Sequence, residues 1–521
     1  MPSSVSRIKS GSVQEIQATG AGFEGGVNIR DAITQLAPNE CRKLENGVLD
    51  ERGGFSKRLG CLSKGTFGSS THRVLSSYVF YRVGFVPQLI IHTTNGDVLY
   101  TNNPDVDTIT WSTIVTGQST TAPFSFETFN NKLYMSNGVN DYAAWDGSAY
   151  TAFASAPKGK FLRLWKDTMW VAGIAATPDR IYSSNPGDAE TFGVSNWVDI
   201  AKGDGDQVRA LATDGMFLII GKRNRAMSIS DPTTFANRVV DFEKGFESHF
   251  SVAQFEGVIY YLSRRGICQW LGDTPSRIIS NRIDPLFDPA VLSLSALDRC
   301  WAYTYENRIG WALCEVGQTI ATLQIEYYPR LAGQDSIGPF GFQRMPCNTL
   351  VRWRYMAREV LFASHNGANK VLQAFGPTGL DDGVVFSGLA ETGALDFNKP
   401  TLHKYLRRMR MLGRGQFTLS MIRNFRIDLY KTFAIDMTSD VDTWTTGDLW
   451  NTGVWGPDLL LQEARIHPDA YVRFLTLRFS DADADLGRKI VPVGSVDRSL
   501  DAGEWAVYGY NIDATVLGVR D

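Results

Sequence analysis

Histidine and cysteine are scarce in this chain, six of each in 521 residues. Cys41, Cys61, Cys268, Cys300, Cys314 and Cys347 form no CxxC pair and no zinc-type spacing. So few cysteines in so long a chain make no disulfide framework. They are expected as buried small hydrophobes in a protein made in a reducing cytoplasm. His72, His92, His249, His365, His403 and His467 include no HExxH pair, and the chain has no GxSxG elbow and no GxxxxGK[ST] loop. No apolar run approaches the roughly 18–20 residues that span a bilayer. The first residues, Met1 to Arg7, carry no apolar signal region. An excess of one charge is missing as well. Lys+Arg is 52 and Asp+Glu is 55, a net charge of −3. That balance argues against a surface that grips nucleic acid throughout and against an acidic tail.

What is plentiful points to strands. Aromatics make up 12% of the residues, and there are 49 glycines against 20 prolines. Aromatic residues favour strands and glycine supplies tight turns, so the fold class expected is all-β. The arrangement of these residues is repetitive. A polar turn flanked by strand formers occurs at Phe129-Asn130-Asn131-Lys132, Trp165-Lys166-Asp167-Thr168, Thr213-Asp214-Gly215-Met216-Phe217, Phe255-Glu256-Gly257-Val258, Tyr305-Glu306-Asn307-Arg308 and Ala357-Arg358-Glu359. Asn95-Gly96-Asp97 is an earlier, degenerate copy. The spacing, about 35–52 residues, is that of four-stranded propeller blades. One hairpin cannot bury its apolar face alone, whereas sheets stacked about an axis bury one another. The expectation is a β-propeller-like array of antiparallel four-stranded blades over residues 71–380. One or two large sandwiches would be the alternative arrangement of the same turns.

Residues 381–521 break the period. Alternating runs such as Phe417-Thr418-Leu419-Ser420-Met421 and Tyr471 to Phe479 predict a C-terminal β-sandwich there. The first 25 residues, polar and Gly-rich, read as a flexible or partner-ordered arm. Between them, 26–70 is expected to hold a docking segment. It would contain a short helix from Glu40 to Gly47 capped by Asn39, with Leu36, Leu44 and Val48 facing inward. A tight turn at Asp50-Glu51-Arg52-Gly53-Gly54 would follow.

Chemistry-bearing constellations are few. Gly20-Ala21-Gly22-Phe23-Glu24-Gly25 matches GxGxxG, but it follows a polar arm rather than a strand and reads as chance. Asp204 and Asp206, and the cluster Asp481, Asp483 and Asp485, could hold calcium but read as Asx-type turns. The expectation is a protein that is not an enzyme and uses no metal or cofactor. The charge pattern carries more. Between Leu402 and Ile427 stand Lys404, Arg407, Arg408, Arg410, Arg414, Arg423 and Arg426, with no acid. This basic run is the candidate surface for DNA or an acidic partner, against a solvated strand face with partners elsewhere. Trp444, Trp450 and Trp455 are candidates for exposed ligand-binding aromatics, against packing in the sandwich core.

Three segments resemble a known family. They are Gly25-Gly26-Val27-Asn28-Ile29-Arg30-Asp31-Ala32 with Asn46 to Gly54 and Lys57-Arg58-Leu59-Gly60; Ile181 to Asp188 with Asn196 to Ile200 and Gly203 to Asp206; and Val507-Tyr508-Gly509-Tyr510 with Val516-Leu517-Gly518. Together they resemble the propeller-type nozzle proteins of short-tailed bacteriophages (tail tubular protein B-like). The resemblance implies a structural virion protein in the viral tail, assembled in the host cytoplasm. Such proteins form a homo-oligomeric ring, typically a hexamer, below the portal and adaptor and beside tail fibres or spikes. The ring is a conduit that retains double-stranded DNA before ejection. Asn28, Arg30, Asp31, Arg52, Lys57 and Arg58 would then be inter-subunit docking residues. Two other placements share the fold: a tail-tip hub that binds a host receptor or glycan, and a plug at the head–tail junction.

Overall fold

The computed structural model describes residues 14–20, 22–332, 338–426, 429–437, 462–481 and 505–517. The chain divides into two compact units. One is residues 59–385; the other joins residues 1–58 to 386–521.

The unit spanning 59–385 is a β-propeller. Blade 1 runs through Val74–Phe80, Gln88–Thr93, Val98–Thr101 and Ser112–Val115. Blade 2 is Ser125–Phe129, Lys132–Ser136, Tyr142–Trp145 and Tyr150–Phe153, and blade 3 is Phe161–Trp165, Thr168–Ala172, Arg180–Ser183 and Trp197–Asp199. Blade 4 is Val208–Thr213, Leu218–Lys222, Ala226–Ile229 and Asn237–Asp241. Blade 5 is Ala253–Phe255, Val258–Ser263, Gly266–Leu271 and Thr274–Ile278, and blade 6 is Trp301–Tyr305, Arg308–Leu313, Leu323–Tyr327 and Phe340–Gln343. Each pairs its consecutive strands antiparallel. A seventh sheet has three consecutive strands, Cys347–Tyr355, Arg358–His365 and Lys370–Gly376. Gly60–Thr66 lies antiparallel along Lys370–Gly376 as its fourth strand, and the short Leu380–Asp381 and Val384–Val385 follow beyond it. The ring therefore closes with a strand from before blade 1.

The repeating turns account for the blades. Six of them, at 130, 166, 214, 256, 306 and 357, join the first and second strands of blades 2 to 7. Asn130, Asn131, Lys166, Asp167, Glu256 and Glu306 sit at positive φ, as the primed hairpin turns require. The degenerate copy at Asn95-Gly96 belongs to blade 1 but links its second and third strands. Between blades the apolar residues interdigitate. Phe80, Ile90, Leu133 and Trp145 fill the seam of blades 1 and 2, and Trp170, Ile181, Leu211 and Ile220 that of blades 3 and 4. Val74, Leu89, Trp353 and Phe362 fill the seam of blades 1 and 7. Fully burying side chains of this size contributes roughly 1.5–3 kcal/mol each.

The other unit is built mostly of antiparallel strands around a 21-residue strand, His403–Arg423. Its first part pairs with Ala506–Leu517, Gln462–Ile466 and Ala470–Val472, and its second part with Leu475–Asp481 and Lys431–Met437. The handover occurs near Gly413–Gly415, where Gly415 has φ +75° and a Cβ on Gly413 would meet Ala506 O at 2.6 Å.

Several expectations for the N-terminal part change. Glu40–Glu45 is a strand, not a helix; it pairs with Leu389–Thr392 and with Gly26–Val27. A helix of eight residues has little to offset its nucleation cost, whereas burying Cys41 and Leu44 in a sheet satisfies the backbone at once. Gln14–Gly20, inside the expected arm, pairs with Tyr510–Val516. The hairpin at Asp50–Gly54 forms as expected: Asp50 Oδ1 accepts from the backbone N–H of Arg52 and Gly54. The docking segment is thus divided. Residues up to 58 belong with the C-terminal strands, and Gly60–Thr66 belongs to the propeller.

Candidate functional site

In the unit that carries the basic run, strand alternation sorts the seven cations. Lys404 points inward, fully buried, and its Nζ donates to Arg473 O at 2.7 Å. Burial brings its pKa down to about 8. A bulge between Leu406 and Arg408 resets the alternation. After it Met409 and Met411 face the core, while Arg408, Arg410 and Arg414 share the opposite face. Arg408 forms a forked pair with Asp513, at 2.9 and 2.7 Å. Arg410 stands between Asn511 on one neighbouring strand and Arg465 on the other. Its Nε has no hydrogen-bond partner. Arg465 leans to Glu463, 2.7 Å away. Arg407 and Arg426 are exposed, and Arg423 stacks on the Tyr430 ring at 3.9 Å. The run is therefore not one surface. It supplies a three-arginine stripe to which Arg465 is added. Sequence reading missed Arg465 because strand register brings it in.

The six docking candidates also divide. Asn28 is buried; its amide donates to Asp31 Oδ2 and Glu40 Oε2, and its Oδ1 accepts from Arg30 and Asp31 N–H. Lys57 is buried against Asp481 at 2.6 Å. Arg58 is buried over the Phe386 ring at 3.8 Å. These three hold the unit together and present no surface in this fold. Arg30, Asp31 and Arg52 are exposed. Arg52, Asp50 and Arg414 all act on the Tyr508 hydroxyl. Burial and Asp50 raise its pKa, and the two arginines lower it.

In the propeller, the acidic turn at Asp204 and Asp206 has a cation of its own chain. Lys222 is fully buried and donates to Asp204 Oδ1 at 2.8 Å, Asp179 Oδ1 at 3.0 Å and Ala201 O at 3.1 Å. Asp206 Oδ2 accepts from Asn224 N–H. Of the other acidic cluster, Asp481 takes Lys57, and Asp483 and Asp485 lie outside the described residues. So do Trp444, Trp450 and Trp455. No cluster of three or more metal-ligating side chains occurs among the described residues, and no helix among them is long and apolar enough to cross a membrane.

The inner strands surround a cavity of about 390 Å³, lined by Tyr78, Phe126, Glu127, Arg163, Phe250 and Trp301 among others. Polar contacts join blades around it. Ser76 Oγ accepts from Phe124 N–H, Ser77 Oγ donates to Thr349 Oγ1, and Trp301 Nε1 donates to Leu350 O. His249 reaches furthest. Its Nδ1 accepts from Leu211 N–H at 3.3 Å, so the proton sits on Nε2, which donates to Ser125 Oγ at 3.1 Å. Burial and the charge of Arg163 push its pKa down to about 3. Glu127 pairs with Arg163 at 3.0 Å, and burial raises the carboxyl's pKa.

No protein-family model matches the chain, and no curated protein matches it. Among solved structures, the chain is similar to a computationally designed protein, Ika8 (8% identity, 60% of this chain and 99% of that one, TM-score 0.35). It is similar to YCF48 bound to a D1 peptide (12%, 61% and 95%, TM-score 0.39). It is also similar to BBS1N in complex with ARL6DN (10%, 62% and 97%, TM-score 0.40). At such identities and TM-scores these likenesses carry no functional inference.

Proposed function

We propose that the chain is a structural component of a short phage tail, a nozzle or tail-tube subunit that assembles into a homo-oligomeric ring and conducts and retains double-stranded DNA. The sequence resemblance at both chain ends and in the middle motivates the reading. The observation that carries it is the arginine stripe. Arg408, Arg410 and Arg414, joined by Arg465, lie in the unit built from both chain ends. Asp513 pairs with Arg408 and Glu463 with Arg465.

The stripe suits a conduit because its charge is limited. Each neutralised phosphate adds sticking free energy and salt dependence. A net charge of −3 over the whole chain, with one short basic stripe, allows contact without tight capture. The exposed Arg30, Asp31 and Arg52 are the docking residues left for a neighbouring subunit or adaptor once Asn28, Lys57 and Arg58 are assigned inward. Binding of a duplex oligonucleotide, titrated by salt, tests the stripe. The reading expects weak, sequence-independent binding that is lost steeply as salt rises. Absence of binding even at low salt would remove the observation on which the reading rests.

A further inference from the structure

Glu247 lies on the segment joining blade 4 to blade 5, and its side chain is 1% exposed. Three guanidiniums converge on this one carboxylate: Arg264 Nε at 3.2 Å, Arg223 Nε at 3.6 Å and Arg209 Nη1 at 3.8 Å. They come from three places in the chain. Arg209 opens the inner strand of blade 4, Arg223 follows its second strand, and Arg264 follows the second strand of blade 5. In an antiparallel blade the start of the first strand and the end of the second lie at the same edge. All four residues therefore gather on the face that carries the blade-connecting segments.

The other charges nearby are already matched. Lys222 is held by Asp179 and Asp204, Arg225 reaches Asp204, Lys244 pairs with Asp241, and Arg265 pairs with Glu243. Three arginines contact this one glutamate, with Asp206 and Asp298 acting on Arg209 from further off. Burial and then the neighbouring Arg223 lower the pKa of Arg209, while Glu247, Asp206 and Asp298 raise it. Arg223 and Arg264 turn Nε toward Glu247. Their outer Nη edges have no protein hydrogen-bond partner among the described residues, and the side chains are 37% and 48% exposed. Two guanidinium forks, oriented by a buried carboxylate and open to solvent, match the bidentate recognition of a phosphate group.

We propose that Arg223 and Arg264, oriented by Glu247 and backed by Arg209, bind a phosphate group on the connecting face of the propeller between blades 4 and 5. A phosphate would accept from the outer edges of the two guanidiniums whose inner edges Glu247 holds. The site lies in a different unit from the arginine stripe and does not depend on the nozzle reading.

The full chain is titrated with sodium phosphate, with sodium chloride at matched ionic strength, and with adenosine monophosphate, following the unfolding midpoint and the phosphorus-31 linewidth. Phosphate is expected to raise the midpoint above the chloride control and to broaden its own resonance. The double variant Arg223→Gln/Arg264→Gln should weaken binding at least tenfold. Arg238→Gln, whose side chain is exposed and pairs with Asp273, should leave it unchanged. Preference for the nucleotide would identify a phosphomonoester as the ligand, and equal binding would identify free phosphate. Midpoints that follow ionic strength alone, or broadening that survives in the folded double variant, would overturn the proposal. Circular dichroism establishes that the variant is folded.

Discussion

His249 Nε2 lies 3.1 Å from Ser125 Oγ, tying the segment that enters blade 5 to the inner strand of blade 2. The same ring accepts a hydrogen bond from blade 4 through Leu211 N–H. One imidazole thus spans the propeller's centre, and it does so only while neutral. Its pKa is down to about 3, against about 6.5 in an unfolded chain. The stability it contributes is fully present above pH 6.5 and is lost as pH falls toward 3, because the unfolded chain binds the proton first. His92, fully buried and donating to Ser119 O, has its pKa lowered to about 4 and adds a slope of the same sign. The unfolding free energy from urea denaturation should therefore fall on acidification from pH 6.5, by about 1.4 kcal/mol per pH unit and per histidine within each window. In His249→Gln the slope should be shallower, because one titrating group is gone. An unchanged slope would argue against a neutral, bridging His249.

Lys222 gives a second prediction. Its ammonium is buried between two carboxylates and a carbonyl. Lys222→Met leaves Asp179 and Asp204 without their shared cation, and removing one partner of such a group typically costs about 3–5 kcal/mol. Changing Asp179 and Asp204 to Asn in the same background should restore part of the loss, measured by chemical denaturation. A single variant as stable as the parent would contradict this account of the turn.

Blade closure is tested at Gly60. A Cβ there would run into the backbone carbonyl of Leu380, in the short strand on the far side of Gly60–Thr66 from Lys370–Gly376, so Gly60→Val should displace the start of Gly60–Thr66 from its place in the closing sheet. Limited proteolysis is expected to cut between residues 59 and 70 in the variant and not in the parent. Equal protection in both would mean that this strand does not lock the ring.

Arg410 and Arg465 sit directly opposite each other on adjacent strands, an arrangement that costs about a few tenths of a kcal/mol or more in a sheet. Replacing both with Gln should leave thermal stability unchanged or slightly raised. Duplex DNA affinity should fall, with a salt slope shallower by about one for each phosphate that is no longer neutralised. A large drop in stability with unaltered DNA binding would make the pair structural.

Much of the propeller was legible in the sequence because its signals are local. The two-residue turns at Asn130-Asn131 and Lys166-Asp167 need positive φ and announce themselves by residue type. What could not be read is non-local. Gly60–Thr66 pairs with a strand about 300 residues later, and Glu40–Glu45 became a strand through partners near residue 390. The site was legible in composition and not in geometry. The basic run from Lys404 to Arg426 stands out by charge. The bulge after Leu406 and the burial of Lys404 then decide which of its members share a face. The cluster on Glu247 leaves no sequence signal, because its arginines are separated by turns that close only when blades 4 and 5 pack.

The central claim is assembly into a ring with a channel. Electron cryo-microscopy of the purified full-length protein tests it most directly, giving copy number and channel width together. The account predicts closed rings, most simply of six copies, whose central opening admits duplex DNA and whose wall exposes Arg408, Arg410 and Arg414. Particles that remain single chains at every concentration, or rings with those arginines turned away from the opening, would contradict it.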